Sequence, residues 1–368
     1  MSPKEKKLSP LEIKLNAFVG KFFSRVSFVE KMLFVYHLKT MVKAGLSIIS
    51  ALKVLSEETE NKKLRTIIGE IKTLVESGKQ LSEALVNYPK IFPPIYVSMI
   101  ASGEAAGKLE EALVQVSLQM KKSHELTSSI RSAMIYPAVV FTAMLGIGLE
   151  MVLFVLPKIM VMFNDVGATL PLATRILVGV ITFFENYGLI TLVVLVALIL
   201  ITIWLVRQPK IKQGLHKFNL HLPIFGAVIK KINLARCTLT LSSLLESTIP
   251  IIEAVKITAG VQSNVTYRDN LLITAESLKK GENLSTILRR FPLTFPAMVT
   301  EMIMVGEQSG QVEDMLNELA EYYSAEVDST MKNFATIIEP VVIVILGLMT
   351  AGIAVAVIMP MYSMAQNF

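Results

Sequence analysis

Residues 137–157 read PAVVFTAMLGIGLEMVLFVLP, and residues 340–360 read PVVIVILGLMTAGIAVAVIMP. Each stretch begins and ends with proline, and together they contain one charged residue, Glu150. An α-helix needs about 20 predominantly apolar residues to cross the hydrocarbon core of a bilayer. We therefore predict that both stretches are transmembrane helices.

A third apolar stretch, residues 188–206, lies between these two and is followed at once by a basic segment. Basic residues accumulate on the cytoplasmic side of membrane proteins. If residues 158–187 and 361–368 lie outside, they hold only Lys158 and Arg175 of the 36 basic residues. This bias predicts a cytoplasmic N-terminus, spans that run outward, inward and outward again, and an outer C-terminus.

The chain also contains an internal repeat around the two proline-bounded stretches. A shift of 203 positions superposes residues 38–157 on residues 241–360 without a gap, with 28 identities in 120 pairs. Ordinary composition gives about a third of that by chance. The matched glycines and prolines include Gly78 with Gly281, Phe92-Pro93 with Phe295-Pro296, Pro137 with Pro340, and Pro157 with Pro360. We infer that one structural unit is duplicated.

The predicted fold is an all-α polytopic membrane protein with two tandem cytoplasmic bundles of about six helices and three transmembrane helices. In the first copy, Ser27 and Glu30 have the spacing of a capping box, and Gly45 stands where a helix end needs a left-handed residue. The expected helices are 30–44, 47–58, 62–77, 82–87, 94–102 and a long one from 109. The domains are an N-terminal basic amphipathic segment (1–27), bundle 1 (28–136), transmembrane helix 1 (137–157), an outer, periplasmic loop (158–187), transmembrane helix 2 (188–206), bundle 2 (207–339), transmembrane helix 3 (340–360) and an outer tail (361–368).

Two features leave alternatives open. The N-terminal segment, which has no apolar region typical of a cleavable signal peptide, either packs on the first bundle or lies on the membrane surface. Glu150, about 20 Å beyond Pro137 along a helix, needs a partner or a proton inside hydrocarbon. Glu150 either contacts an oligomer interface or the transmembrane helix of a partner protein, or it lies close to the outer boundary.

The sequence does not predict an enzyme, a cofactor or a metal site. The segment from Gly103 to Lys108 resembles a phosphate loop, but it has three residues between its glycines where the nucleotide motif has four. The second copy keeps Gly306, Glu307 and Gly310 and loses the lysine. We expect turns in which the glycines supply unusual backbone angles and the glutamates cap a neighbouring helix. The net charge of +6 is spread over helix faces and does not indicate nucleic-acid binding.

The repeated motifs resemble those of the inner-membrane platform proteins of type IV pilus and type II secretion machines, the GspF/PilC family. The resemblance extends from about residue 28 to the C-terminus. The residues that carry it are Gly78, Phe92, Pro93, Gly103, Glu104, Gly107, Pro137 and Pro157, and in the second copy Gly281, Phe295, Pro296, Gly306, Glu307, Gly310, Pro340 and Pro360.

The resemblance implies a non-enzymatic platform in the bacterial inner membrane. Its implied partners are a cytoplasmic hexameric assembly ATPase, pilin or pseudopilin subunits, other inner-membrane assembly proteins, lipid, and further copies of itself. The platform would couple the ATPase to insertion or extraction of filament subunits, and the partner helix at Glu150 would then be that of a pilin. A small oligomeric membrane transporter is the alternative from another functional class, although three spans with few polar residues disfavour it.

Overall fold

The computed structural model describes residues 26–150, 208–222 and 225–365, together with isolated residues between 179 and 206. Within these residues the regular structure is helical, and none of them forms a strand. The helices are α1 (Phe28–Lys43), α2 (Ile48–Glu58), α3 (Lys62–Glu76), α4 (Leu81–Val86), α5 (Pro94–Ala105), α6 (Leu109–Glu150), α7 (Pro209–Asn219), α8 (Phe225–Glu246), α9 (Ile251–Val261), α10 (Val265–Leu278), α11 (Leu284–Leu288), α12 (Ala297–Ser309) and α13 (Val312–Ala365).

The helix boundaries repeat with the shift found in the sequence. Helices α2 and α9 correspond at both ends, α1 and α8 end at corresponding residues, and α6 and α13 begin at corresponding residues. The six helices expected in the first copy are confirmed, with boundaries that differ by at most three residues from the prediction. The duplication is therefore present in the folded chain.

Local hydrogen bonds define the ends of the first helices. Ser27 and Glu30 form the predicted capping box, with distances of 2.6 Å from the Ser27 N–H to Glu30 Oε2 and 3.2 Å from the Glu30 N–H to Ser27 Oγ. Glu30 also accepts a hydrogen bond from the Asn61 side chain. Although burial raises the pKa of Glu30, these hydrogen bonds lower it below its ordinary value. Gly45 follows α1 with φ of +87°, as predicted.

The chain divides into two compact units, Met1–Leu126 with Lys230–Ser324, and Thr127–Ile229 with Ala325–Phe368. The first unit contains the short helices of both copies. Its core forms because the amphipathic helices present apolar residues at helical spacing. On α3 the buried residues are Leu64, Ile67, Ile68 and Ile71. The predicted domain boundaries at 136 and 207 stay predictions.

The second unit contains the apolar parts of α6 and α13. Leu109–Gly148 is the one helical segment among the described residues that is long and apolar enough to cross a membrane, and only 6% of its most apolar window is buried. A shorter apolar segment, Pro340–Gly352, lies within α13, and the described residues between 196 and 206 are helical and apolar. Exposure of so much apolar surface is unusual for a protein surrounded by water.

Candidate functional site

Glu104 caps a helix of its own copy. It lies near the end of α5, and its Oε1 accepts a hydrogen bond from the Leu81 N–H at 2.6 Å. Its Oε2 accepts another from the Ser82 N–H at 3.0 Å. These N–H groups belong to the first turn of α4, which has no side-chain cap from its own N-cap residue Gln80. The carboxylate therefore satisfies donors that the helix itself cannot pair.

Glu307 makes the same arrangement in the second copy. It accepts hydrogen bonds from the Leu284 N–H at 2.6 Å and from the Ser285 N–H at 3.3 Å. The Ser285 hydroxyl also donates to this carboxylate. The glutamates of both copies thus cap a neighbouring helix start, which is the role predicted from their positions.

The two glycines of each turn have different roles. Gly107 and Gly310 have φ of +69° and +75°, the left-handed conformation predicted for them. Gly103, in contrast, is helical, and a Cβ built on it would lie 2.2 Å from the Ala112 Cβ. In the second copy a Cβ on Gly306 would lie 2.9 Å from the Val312 Cα. The first glycine therefore permits close packing of two helices, and the prediction of an unusual backbone angle there is wrong.

The Phe-Pro pairs link the core to a helix start. Phe92 and Phe295 are buried, and Phe92 packs against Phe34 with a distance of 5.6 Å between ring centroids. Pro93 and Pro296 are the N-cap residues of α5 and α12. Each pair thus anchors the chain in the core immediately before the helix that carries the capping glutamate.

Hydrogen bonds join the two copies inside the first unit. The Ser102 hydroxyl donates to the Ser247 carbonyl oxygen at 2.7 Å and lies 3.2 Å from Thr248 Oγ1. The Gln115 side chain donates to Glu246 at 2.7 Å. The Ser243 hydroxyl donates to Gln119 Oε1 at 2.7 Å, and this pair is buried. We call this set of contacts the intercopy junction.

A strained residue lies at the intercopy junction. Thr248 has φ of +60°, a conformation rare for a β-branched residue, and it corresponds in the repeat to Gly45. The junction borders a cleft of about 200 Å³ that is also lined by Lys108 and Glu111. Sequence reasoning missed this junction. A threonine where the other copy has a left-handed glycine is the signal that could have indicated it.

Comparison with known proteins identifies the family of the repeated unit. A family model described as "Type II secretion system (T2SS), protein F" matches residues 34–157 and again residues 238–360. The two matches cover about two thirds of the chain. The chain belongs to the T2SS protein F family.

Relatives of this T2SS protein F family member match along most of their length. The chain is 32% identical to the type IV pilus assembly protein PilC of Myxococcus xanthus, over 93% of this chain and 82% of that protein. It is 34% identical to the PilC of Thermus thermophilus, over 90% and 81% respectively. It is 30% identical to the type II secretion system protein F of Vibrio cholerae, over 98% and 91%.

Three of the remaining motif prolines of this family member lie in the two long helices, and the two remaining motif glycines follow short helices. Pro137 is inside α6, whereas Pro340 and Pro360 are inside α13. Glu150 lies in α6, at the edge of the described residues, and is exposed. Pro157, the segment 1–25 and most of the predicted outer loop (158–187) lie outside the described residues, as does part of the predicted second span. Gly78 and Gly281 have φ of +92° and +83° after α3 and α10.

Proposed function

We propose that the chain is the inner-membrane platform of a type IV pilus or type II secretion assembly machine. The observation that carries this proposal is the double match to the T2SS protein F family, together with relatives named for pilus assembly and for type II secretion. The relatives are similar over most of the chain, so the resemblance includes both copies, their apolar stretches and the segment between them.

The platform crosses the membrane three times, with its N-terminus and both helical bundles in the cytoplasm and its C-terminus outside. The exposed apolar surface of α6 and the apolar run in α13 support this arrangement. The scarcity of basic residues in 158–187 and 361–368 supports the orientation. The second span, residues 188–206, has no counterpart in the repeat. Because it adds one crossing of the membrane, both copies point in the same direction.

The platform transmits work and performs no chemistry. A cytoplasmic hexameric ATPase binds the bundles and turns or displaces them, and the membrane helices pass pilin or pseudopilin subunits into or out of the filament. The intercopy junction supports this role because its hydrogen bonds couple both copies within one compact unit. Motion applied to one copy would then reach the other.

Binding to the ATPase tests this proposal. The full chain in lipid nanodiscs is mixed with candidate assembly ATPases from the same host, and binding is measured by co-purification and by interferometry. We expect specific binding and stimulation of ATP hydrolysis, with no hydrolysis by the chain alone. Absence of binding, or ATP hydrolysis by the isolated chain, would contradict the proposal. Solute flux through the chain in liposomes would favour the transporter instead.

Glu150 offers a test of the membrane part of this proposal. We propose that its carboxylate contacts a pilin helix or another copy of the platform within the membrane. Glu150→Leu is then expected to abolish filament assembly at normal protein level, and Glu150→Gln to retain part of it through hydrogen bonding. Wild-type filament assembly by Glu150→Leu would contradict a contact of this carboxylate that assembly requires.

A further inference from the structure

The intercopy junction uses different surfaces of the two copies. The first copy contributes Ser102 from α5 and Gln115 and Gln119 from α6, which we call the α5/α6 face. The second copy contributes the C-terminal end of α8 and the turn after it, residues 243–249, which we call the α8 end. Such a heterologous contact leaves one surface of each kind unused.

The repeat identifies the unused face on the second copy. The shift of 203 positions places Val305, Glu318 and Tyr322, on α12 and α13, where the first copy has Ser102, Gln115 and Gln119. Val305 and Tyr322 are 51% and 44% exposed, whereas Gln119 at the junction is only 3% exposed. The second copy therefore presents two large apolar or aromatic side chains to solvent at the positions that are covered in the first copy.

The same shift identifies the unused end on the first copy. Thr40, Lys43, Ala44 and Gly45 correspond to Ser243, Glu246, Ser247 and Thr248, and Leu46 corresponds to Ile249. Leu46 is 40% exposed, whereas Ile249 is 6% exposed. The end of α1 and the turn after it, which we call the α1 end, is therefore uncovered where the α8 end is buried.

The two unused surfaces are complementary when they are paired as at the junction. The pair Gln115 and Glu246 becomes Glu318 and Lys43, which carry opposite charges and are both exposed. The hydroxyl of Ser102 against the turn at Ser247 becomes the apolar Val305 against Ala44. The remaining pair, Gln119 and Ser243, becomes Tyr322 and Thr40, which can also share a hydrogen bond.

We propose that the α12/α13 face, formed by Val305, Glu318 and Tyr322, binds the α1 end of a second copy of this chain. The contact repeats the geometry of the intercopy junction between chains, with the Glu318–Lys43 ion pair in place of the Gln115–Glu246 hydrogen bond. It is heterologous, so each chain uses its α12/α13 face on one neighbour and its α1 end on another. This inference rests on the repeat and not on the proposed function.

Cysteine cross-linking tests the pairing of these surfaces. Full chains that carry Ala44→Cys or Val305→Cys are given different tags and reconstituted together in membranes. Native Cys237 is buried and is kept in every variant. A short bis-maleimide is expected to link Ala44→Cys chains to Val305→Cys chains, with little product when either variant is alone. Val86→Cys, which is 60% exposed on α4, replaces Val305→Cys as the matched control.

A charge exchange tests the ion pair within the contact. Lys43→Glu and Glu318→Lys are each expected to lower the cross-linking yield roughly fivefold, because each creates a like-charge pair. The double exchange is expected to restore the yield. Circular dichroism shows whether each variant is folded, and both positions are exposed, so loss of folding is not expected.

Three results would overturn the proposal. One is a yield between Ala44→Cys and Val305→Cys chains no higher than with Val86→Cys. Another is efficient linking of either variant to itself, which indicates an isologous contact. The third is protection of Val305→Cys from alkylation by the assembly ATPase without cross-linking between chains, which assigns the face to another protein. ATPase binding is measured in the same samples, so failure of the proposed function is detected separately.

Discussion

Replacing Glu104 by glutamine should destabilise the first copy by about 1–2 kcal/mol. The carboxylate accepts hydrogen bonds from two N–H groups of α4, at 2.6 and 3.0 Å, whereas the glutamine side chain has one acceptor oxygen. Hydrogen bonds to charged groups contribute about 1.5–3 kcal/mol and neutral ones about 0.5–1.5 kcal/mol. The change therefore leaves one N–H unpaired and weakens the other bond. Glu83→Gln, exposed on α4 itself, is the matched control and should change stability by less than about 0.5 kcal/mol.

The effect should be visible in two measurements on the purified full chain in detergent. Thermal unfolding of Glu104→Gln should shift downward by roughly 2–8 °C, given about 2–4 °C per kcal/mol for a unit of this size. Hydrogen exchange should become faster at the amides of Leu81 and Ser82 and stay unchanged in the second copy, where Glu307 is intact. An unaltered unfolding temperature together with unaltered exchange at these amides would refute the capping role of Glu104.

Three further predictions concern packing, backbone strain and pH. Gly103→Ala should destabilise the chain by about 1–3 kcal/mol, because the added Cβ has no room beside Ala112. Gly69→Ala is the control: no neighbouring atom lies within 4 Å of its added Cβ, and it should stabilise the chain by about 0.5–1 kcal/mol in the same unfolding assay. Both Gly45 and Thr248 have positive φ, which glycine adopts without strain and threonine does not. Gly45→Thr should therefore lower stability by about 1–2 kcal/mol, whereas Thr248→Gly should lower it less or raise it. Equal losses would contradict backbone strain at Thr248. Glu30→Gln should lower stability at neutral pH. Because the folded-state pKa of Glu30 is lowered, the stability it contributes is full above its ordinary pKa of 4.5 and is lost as the pH falls through the folded-state pKa, so the loss should disappear in acid. A pH-independent loss in urea titrations would contradict this.

The sequence predicted the helices well where the signals are local. The capping box of Ser27 and Glu30 begins α1, and the left-handed Gly45 and Gly78 follow the helices expected before them. These signals act between residues a few positions apart and need no tertiary information. The glycine spacing distinguishes the turn at Gly103–Gly107 from a phosphate loop, and the second copy, which lacks the lysine, supports the same conclusion.

The sequence did not predict the intercopy junction or the packing role of Gly103. Ser102 and Ser247 are far apart in the chain, and no local pattern indicates that the hydroxyl of one reaches the carbonyl oxygen of the other. Gly103 was expected to relieve a backbone angle, whereas its real constraint is the distance to Ala112 on the next helix. Both depend on how finished helices pack, which local propensities do not specify.

Deletion and complementation in the host that encodes the chain test the central claim most directly. Surface filaments are counted by electron microscopy, and secretion of the machine's protein substrates is measured in the same cells. We expect deletion to abolish filaments or secretion while pilin and ATPase levels stay normal, and the wild-type chain to restore them. Normal filaments together with normal secretion in the deletion strain would contradict a platform role for this protein.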